Sequence, residues 1–557
     1  MRALASPVRS RAGAGLLCLL LALVAGDGLA PAAWPPPPGV PEFLEAAPGQ
    51  PLPPPLARAL GRLEAAALEA HIRFLASPPL AGRGLASEGL EAALEYVAAV
   101  LARAGVAPLP PPAPPHEAPP SFFQPVPLRA VHHPSGCLEL RQLAGASLRQ
   151  QLFAPGVEVL LPEVAALDLE VPVVFAGHGI REPVLAHDDY AALPVRGCVV
   201  VVLDGTPEGP AWAAPAVRRR WVGDSAEERW DAKLEVAEEL GAAALVGIEL
   251  EQAWEEETPP SHFFLPADEL PAGRPIPLVT ASPAVAAFLA AAEPPVPSLA
   301  DRAPGPLPGM TARLVAVGVE ERVTSRNVLA VIPGSSEALR GEAVMIGAHV
   351  DHLGRVGGSV YPGADDNASG VAALLEIARL LAESPVKPRR SILLAAWTGE
   401  EEGKLGSDFY LRHPRWPVEK TVAYLNLDMI GHRFSPEEIR ALVTASTCQC
   451  ADRFLSHLDA ARFLETGVAR WAPHLDAVLQ RAARGLGLAL HLDRVDGRHG
   501  GSDYRGFARA RVPFLRFFGN FFPGYHEPTD TPQGVDLEAV RQQAQLCLAS
   551  AWLLADE

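Results

Sequence analysis

Residues 391–407 read SILLAAWTGEEEGKLGS. The first seven, Ser391 to Trp397, are almost wholly apolar, as expected of a strand buried on both faces. Glu400, Glu401 and Glu402 follow directly. The same figure repeats on either side. Upstream, 344–349 is an apolar run ending on His349, with Asp351 and His352 just beyond. Next, Asp365, Asp366 and Asn367 precede a helical pattern over 368–384. There Val371, Leu374, Leu375, Ala378 and Leu381 share one face, and Glu376, Arg379 and Glu383 lie opposite. Downstream, the run 422–427 ends on Asp428, 512–518 reads as a further strand, Tyr525 and His526 sit in the loop GYHEPTDTP, and 536–554 reads as a closing helix. Alternating strands and helices from about residue 323 onward predict an α/β fold: a mainly parallel mixed sheet flanked by helices. Such sheets carry their chemistry at the carboxyl ends of the strands.

Five separate segments thus deliver imidazole and carboxylate groups to one edge of one sheet. Each piece has a plain reading: an Asp-Asp before a helix serves as an N-cap, and a run of Glu is a solvated face. Solvated charge, however, has no reason to collect at successive strand ends. Zn²⁺ takes nitrogen and carboxylate ligands and leaves a position open for water in catalytic sites. A metal pair about 3.5–4 Å apart needs roughly five protein ligands, including a carboxylate that bridges. Two His and three acidic residues fit that stoichiometry.

The remainder of the chain has a different texture. Arg2, Arg9 and Arg11 precede the short apolar run GLLCLLLALVAG (15–26), the pattern of a secretory signal peptide over 1–30, with an uncleaved anchor as the alternative. No other segment is apolar enough to span a membrane, so the rest is expected to be exported and soluble. Residues 31–57 (WPPPPGVPEF, QPLPPPL) read as a Pro-rich extended tether. Residues 58–136 hold two helical stretches around a turn-rich hinge, then a Pro-rich loop at 107–127. Residues 137–308 form a β-rich unit. VPVVFAG (171–177) and GCVVVVLDG (197–205) read as strands, and 275–280 reads as an edge strand because of its two prolines. Pro-rich segments at 107–127 and 293–308 bracket this unit. The chain has 557 residues, a net charge of −18 and 43 Arg against 4 Lys. That acidity argues against nucleic acid as a partner. Six cysteines are too few for a disulfide scaffold. Cys448 and Cys450 stand one residue apart in a stretch, 433–470, and are read as a strained disulfide, a wall of the substrate site, or neither.

The strings GAHVDHLG (347–354), PGADDNASGVAALLE (362–376), TGEEEGKLGS (398–407), LNLDMIG (425–431), GGSD (500–503) and YHEPTDTP (525–532) resemble peptidase family M28, the co-catalytic dizinc aminopeptidases. The resemblance runs through 309–557 and extends to HIRFLASPPLAGRG (71–84). The 137–308 unit resembles a protease-associated (PA) domain, most clearly in HDDYAALPVRGCVVVVLDG (187–205). The resemblance implies two Zn²⁺ per chain: His349 and Asp428 on one, Glu401 and His526 on the other, and Asp366 bridging. It implies Glu400 as general base, Asp351 as the partner of the second nitrogen of His349, and Tyr525 as a group that polarises the scissile carbonyl. His352 is expected to be a loop or core histidine, and Asp365 to shape its turn. Gly403, Gly406 and Ser407 favour Glu400–Glu401 as the base–ligand pair over Glu401–Glu402.

The activity implied is that of an exported aminopeptidase acting on peptides. A carboxypeptidase or a glutaminyl cyclase on the same scaffold is the alternative, and a metal-free receptor-like protein a remoter one. No HExxH, GxSxG or P-loop motif offers another chemistry.

Overall fold

The computed structural model describes residues 43–45, 51–111, 121–162, 166–212, 217, 220–222, 230–249, 261–266, 276–356, 358–445, 451–498 and 501–557. The signal peptide, most of the tether, Cys448 and Cys450 lie outside the described residues. Among the described residues no helix is long and apolar enough to cross a membrane.

Four parallel strands form the centre of the C-terminal half: Ser391–Trp397, Ala343–His349, Thr421–Leu427 and Phe514–Phe518, adjacent in that order. Their register aligns the carboxyl ends, with His349 beside Trp397 and Leu427 beside Phe517. Antiparallel neighbours flank the four. The strand ending at Ile332 pairs with Ser391–Trp397, and Phe463–Ala469 pairs with Phe514–Phe518. Every residue of Ala343–His349 and Ser391–Trp397 is buried, as their apolar runs require. The helices Ala65–Leu75, Gly370–Glu383 and Leu537–Asp556 pack together over the sheet. Tyr504–Arg509 packs on the strand Thr421–Leu427 and on the helix Leu405–Arg412.

The inserted unit carries a second group of parallel strands, linked to the first through the same hydrogen-bonded sheet. Ala166–Phe175, Val199–Leu203, Ala244–Ile248 and Leu278–Ala281 run parallel, in that order. Along Val199–Leu203 the side chains alternate between two apolar cores. Val199 and Val201 join Val246, Val279 and Phe288, whereas Val200 and Val202 join Trp221, Trp230 and Val236. The strand Leu278–Ala281 also pairs with Val159–Leu160, so it is not the edge that its prolines predicted.

The junctions differ from expectation. The Pro-rich segments hold no strand over 109–111 and 293–304, as read, but their ends belong to strands, and Phe123–Ala144 and Gly305–Ile332 form one long antiparallel ribbon. It is paired from Phe123 opposite Val328 to Gln142 opposite Met310. This ribbon joins the two halves, and the boundaries read at 136/137 and 308/309 cut through it. Pro125 and Pro127 are tolerated because they are two residues apart. Both missing N–H groups then point to one side, and that side pairs with nothing among the described residues until Arg129. The described part of the tether is also structured. Phe43–Leu44 pairs with Leu490 and His491, and Pro54–Leu60 is a helix with Pro in its first turn, where no N–H is needed.

Candidate metal centre

His349 ends its strand, Glu400 and Glu401 stand in the turn after Trp397, and Asp428 follows Leu427. Aligned strand ends therefore place these groups together. Asp366 arrives from the 363–369 loop and His526 from the loop after Phe514–Phe518. His349 Nε2 lies 3.2 Å from Asp428 Oδ1 and 3.4 Å from Asp366 Oδ1. His526 Nε2 lies 3.3 Å from Asp366 Oδ2 and 3.2 Å from Glu401 Oε2. Two ligands on one tetrahedral zinc at about 2.0–2.2 Å stand about 3.3–3.6 Å apart. All four separations fall close to that spacing, and Asp366 turns one oxygen to each cluster, as a bridging carboxylate would. The residues present therefore fit a pair of zinc ions. Glu400 Oε2 is farther out, 3.9 Å from His349 Nε2. The Glu402 carboxylate accepts the Phe263 N–H at 3.4 Å, so the turn directs this third glutamate to the inserted unit.

The electrostatics agree with a cation site. Burial alone would depress the His349 pKa, yet Asp428, Glu400 and Asp366 raise it well above the usual imidazole value. His526 is carried up to about 11, against burial, by Glu401 and Asp366. Burial raises the Glu400 carboxyl well above its ordinary range, with Lys404, 3.5 Å from Oε1, opposing. Glu401 is pulled well below that range, against burial, by His526 and His352. Buried acids in this density need positive charge to offset their desolvation.

A second layer holds these groups. Trp397 Nε1–H donates to the Tyr424 hydroxyl (2.9 Å), which donates to Asn426 Oδ1 (2.8 Å). Asn426 Nδ2 donates to Ser502 Oγ (2.8 Å), which donates to Asp428 Oδ2 (2.6 Å). Asp530 accepts the N–H groups of Asp365 and Asp366. Buried Arg83 donates to the carbonyls of Leu75, Val350, Pro362 and Gly363, tying the His349 strand end to the Asp366 loop. Its neighbours explain the flanking glycines: a Cβ on Gly82 would lie 2.3 Å from the Tyr361 carbonyl. Arg83, Ser502 and Asp530 all stand inside strings that were legible as motifs. A charged residue between two glycines was the available signal for Arg83.

Three expectations change in detail. The second nitrogen of His349, Nδ1, faces the main-chain oxygen of Asp351 at 3.1 Å, while the Asp351 carboxylate accepts the Glu401 N–H at 3.2 Å. The strand ends at His349, so the side chain of Asp351 is free of its alternation and reaches the glutamate turn instead. Asp365 does more than shape its own turn, because it accepts the Gly431 N–H (2.7 Å) and contacts His432 Nδ1 (2.6 Å). His352 is buried, but its Nδ1 stands 2.6 Å from Glu401 Oε1. Tyr525 stacks on the His526 ring at 3.9 Å.

The inserted unit reaches the same turn. Phe263 and Leu265 pack with Leu405 and Phe409. Arg505 donates to the Gly403 carbonyl (2.8 Å) and lies 3.7 Å from Asp231 of the insert.

Comparison with known proteins agrees. The description of peptidase family M28 matches residues 327–551. A probable zinc metalloprotease of Pyrenophora tritici-repentis is 29% identical over 266 residues, 43% of this chain and 54% of that protein. An aminopeptidase of Pseudomonas aeruginosa (strain UCBPP-PA14) is 38% identical over 130 residues, 22% of each chain. The chain spans about half the length of the curated relatives that it matches over the longest stretches. In structure, an aminopeptidase from Aneurinibacillus sp. strain AM-1 has the same fold, with a TM-score of 0.53 at 19% identity over 90% of this chain and 96% of that one. The stretch that matches the description of peptidase family M28 contains all five candidate ligands and Glu400.

Proposed function

We propose that the chain is an exported, zinc-dependent aminopeptidase that removes N-terminal residues from peptides. The observation that carries this reading is the spacing of the acids. Four imidazole–carboxylate separations of 3.2–3.4 Å suit metal ligands, and Glu400 at 3.9 Å is left for proton transfer. His349 and Asp428 would hold one zinc, Glu401 and His526 the second, with Asp366 shared. Zinc in such a site supplies Lewis acidity and brings the pKa of water near 7.

The chain's own groups do the rest. Glu400, with its pKa raised by burial, accepts the proton of the attacking water at a carboxylate oxygen and returns it to the departing amine. Lys404 limits that rise and keeps the carboxylate available as a base. Ser502 fixes Asp428 through its second oxygen. The Asp351 main chain and carboxylate hold His349 and the Glu401 turn respectively. Tyr525, stacked on His526, would polarise the reacting carbonyl. The 137–308 unit, a PA-like domain, acts as a non-catalytic wall that limits substrate length, because Phe263 meets Glu402 and Asp231 lies beside Arg505, which holds the Gly403 carbonyl.

A panel of aminoacyl anilides and C-terminally varied peptides, assayed with zinc and with chelator, tests the reading. Zinc-dependent release of the N-terminal residue is expected. Release from the carboxyl end, or cyclisation of N-terminal glutamine, would contradict it.

A further inference from the structure

His352 lies outside the five-ligand set, yet the fold fixes it with unusual care. Its N–H donates to the Arg83 carbonyl, and the Arg83 guanidinium in turn holds the carbonyl of Val350. Its ring packs against Gly363, where an added Cβ would approach the imidazole carbons to 2.6 Å. Gly363 also has a φ of +61°, so a side chain there is excluded twice. The ring is buried, and its Nε2 has no hydrogen-bond partner among the described residues. Its polar contacts are therefore made by Nδ1, 2.6 Å from Glu401 Oε1 and 3.7 Å from Asp366 Oδ2.

These distances distinguish two roles. A second ligand on the same zinc would stand about 3.3–3.6 Å from its fellow ligands. The 3.7 Å separation from Asp366 does not discriminate, but the 2.6 Å contact with Glu401 is well short of that spacing and falls in hydrogen-bond range. A carboxylate only accepts, so the imidazole donates Nδ1–H. Glu401 then divides its oxygens: Oε1 receives His352, and Oε2 faces His526 at 3.2 Å.

We propose that His352 is a positioning residue for the second metal: its Nδ1–H bond to Glu401 Oε1 keeps that glutamate a one-oxygen ligand and leaves a coordination position open. The inference rests on the two-zinc reading above. Partners of this kind typically contribute about 10–100-fold to metal affinity.

The test uses the full chain as wild type, His352→Ala and His352→Asn, each titrated with Zn²⁺ against a chromogenic chelator. Asn carries an N–H donor where the imidazole has Nδ1. His352→Ala should weaken one of the two zinc sites by roughly 10–100-fold and leave the other unchanged, and His352→Asn should recover most of the loss. With Co²⁺ in place of zinc, the absorption bands of His352→Ala should shift toward higher coordination as Oε1 is released, while those of His352→Asn should match wild type. A purely packing role would lower the melting temperature without moving the Co²⁺ bands, and that result overturns the proposal. So does His352→Asn as weak as His352→Ala, which would make the imidazole itself a ligand. A two-zinc wild type with an unaltered His352→Ala overturns this inference alone. A wild type that binds no zinc overturns both it and the reading beneath it.

Discussion

Two buried groups of parallel strands in this chain end very differently. In the C-terminal half, the strand ending at His349 meets Asp428, Asp366 and Glu400, and these acids raise the imidazole pKa against its burial. In the insert, His178 stands near the end of the all-apolar strand Val199–Leu203. Its Nδ1 lies 2.9 Å from the Asp204 carbonyl oxygen, and burial and Lys233 together lower its pKa. Lys233, fully buried, donates to the carbonyls of Leu203 and Gly205. Among the described residues, every cluster of His, Asp and Glu close enough to share a metal ion lies in the C-terminal half. A parallel strand end is therefore a place for chemistry and not a guarantee of it. What separates the two ends is acid that the protein leaves uncompensated. The insert spends its charges on backbone carbonyls, whereas the C-terminal half collects carboxylates that only a cation would balance.

The sharpest way to break this contrast is at the shared acid. Asp366→Ala should lose both zinc ions and reduce peptidase activity to background, while Asp428→Ala should mainly weaken one ion; elemental analysis after gel filtration reads the difference. If Asp366→Ala retains both metals, no bridge exists. In the insert, Lys233→Met takes the donor from the buried Leu203 carbonyl and the half-buried Gly205 carbonyl, which should cost about 1–3 kcal/mol of stability. Zinc content should stay the same, and denaturant unfolding followed alongside metal analysis checks both. A loss of zinc would place Lys233 in the same functional unit as the metal site. The smallest effect is expected from removing the insert as a whole. Replacing 136–316 by an Asn-Gly turn closes the ribbon on the pair of Ser135 and Val317. The ratio of long- to short-peptide kcat/KM should rise several-fold, as for other losses of a steric barrier worth about 1 kcal/mol. An unchanged ratio in a folded, zinc-loaded variant would leave the insert as an interaction module.

The two regions also differed in how far the sequence could be read. In the C-terminal half, Ser391–Trp397 and Ala343–His349 have no polar interruption, so their burial, their parallel order and the acids beyond them follow from local pattern. The ribbon did not show itself because prolines normally argue against strands, and only the register reveals that Pro125 and Pro127 share an unpaired side. Arg83, His352 and Asp530 were within legible motifs, but their roles depend on partners hundreds of residues away or on side-chain direction, which spacing does not encode. The direction of Asp351 is the clearest case. A two-residue step predicts a shared strand face, but the strand ends at His349, and beyond it that rule no longer applies.

The division of labour between adjacent glutamates is the centre of the account, and one paired measurement tests it: zinc content and kcat for Glu400→Gln beside Glu401→Gln. Glu400→Gln keeps shape but accepts no proton, so kcat should fall by about 10²–10⁴ with both zinc ions retained, while Glu401→Gln should lose one ion. Zinc lost from Glu400→Gln and kept in Glu401→Gln would contradict the assignment and move each role by one residue.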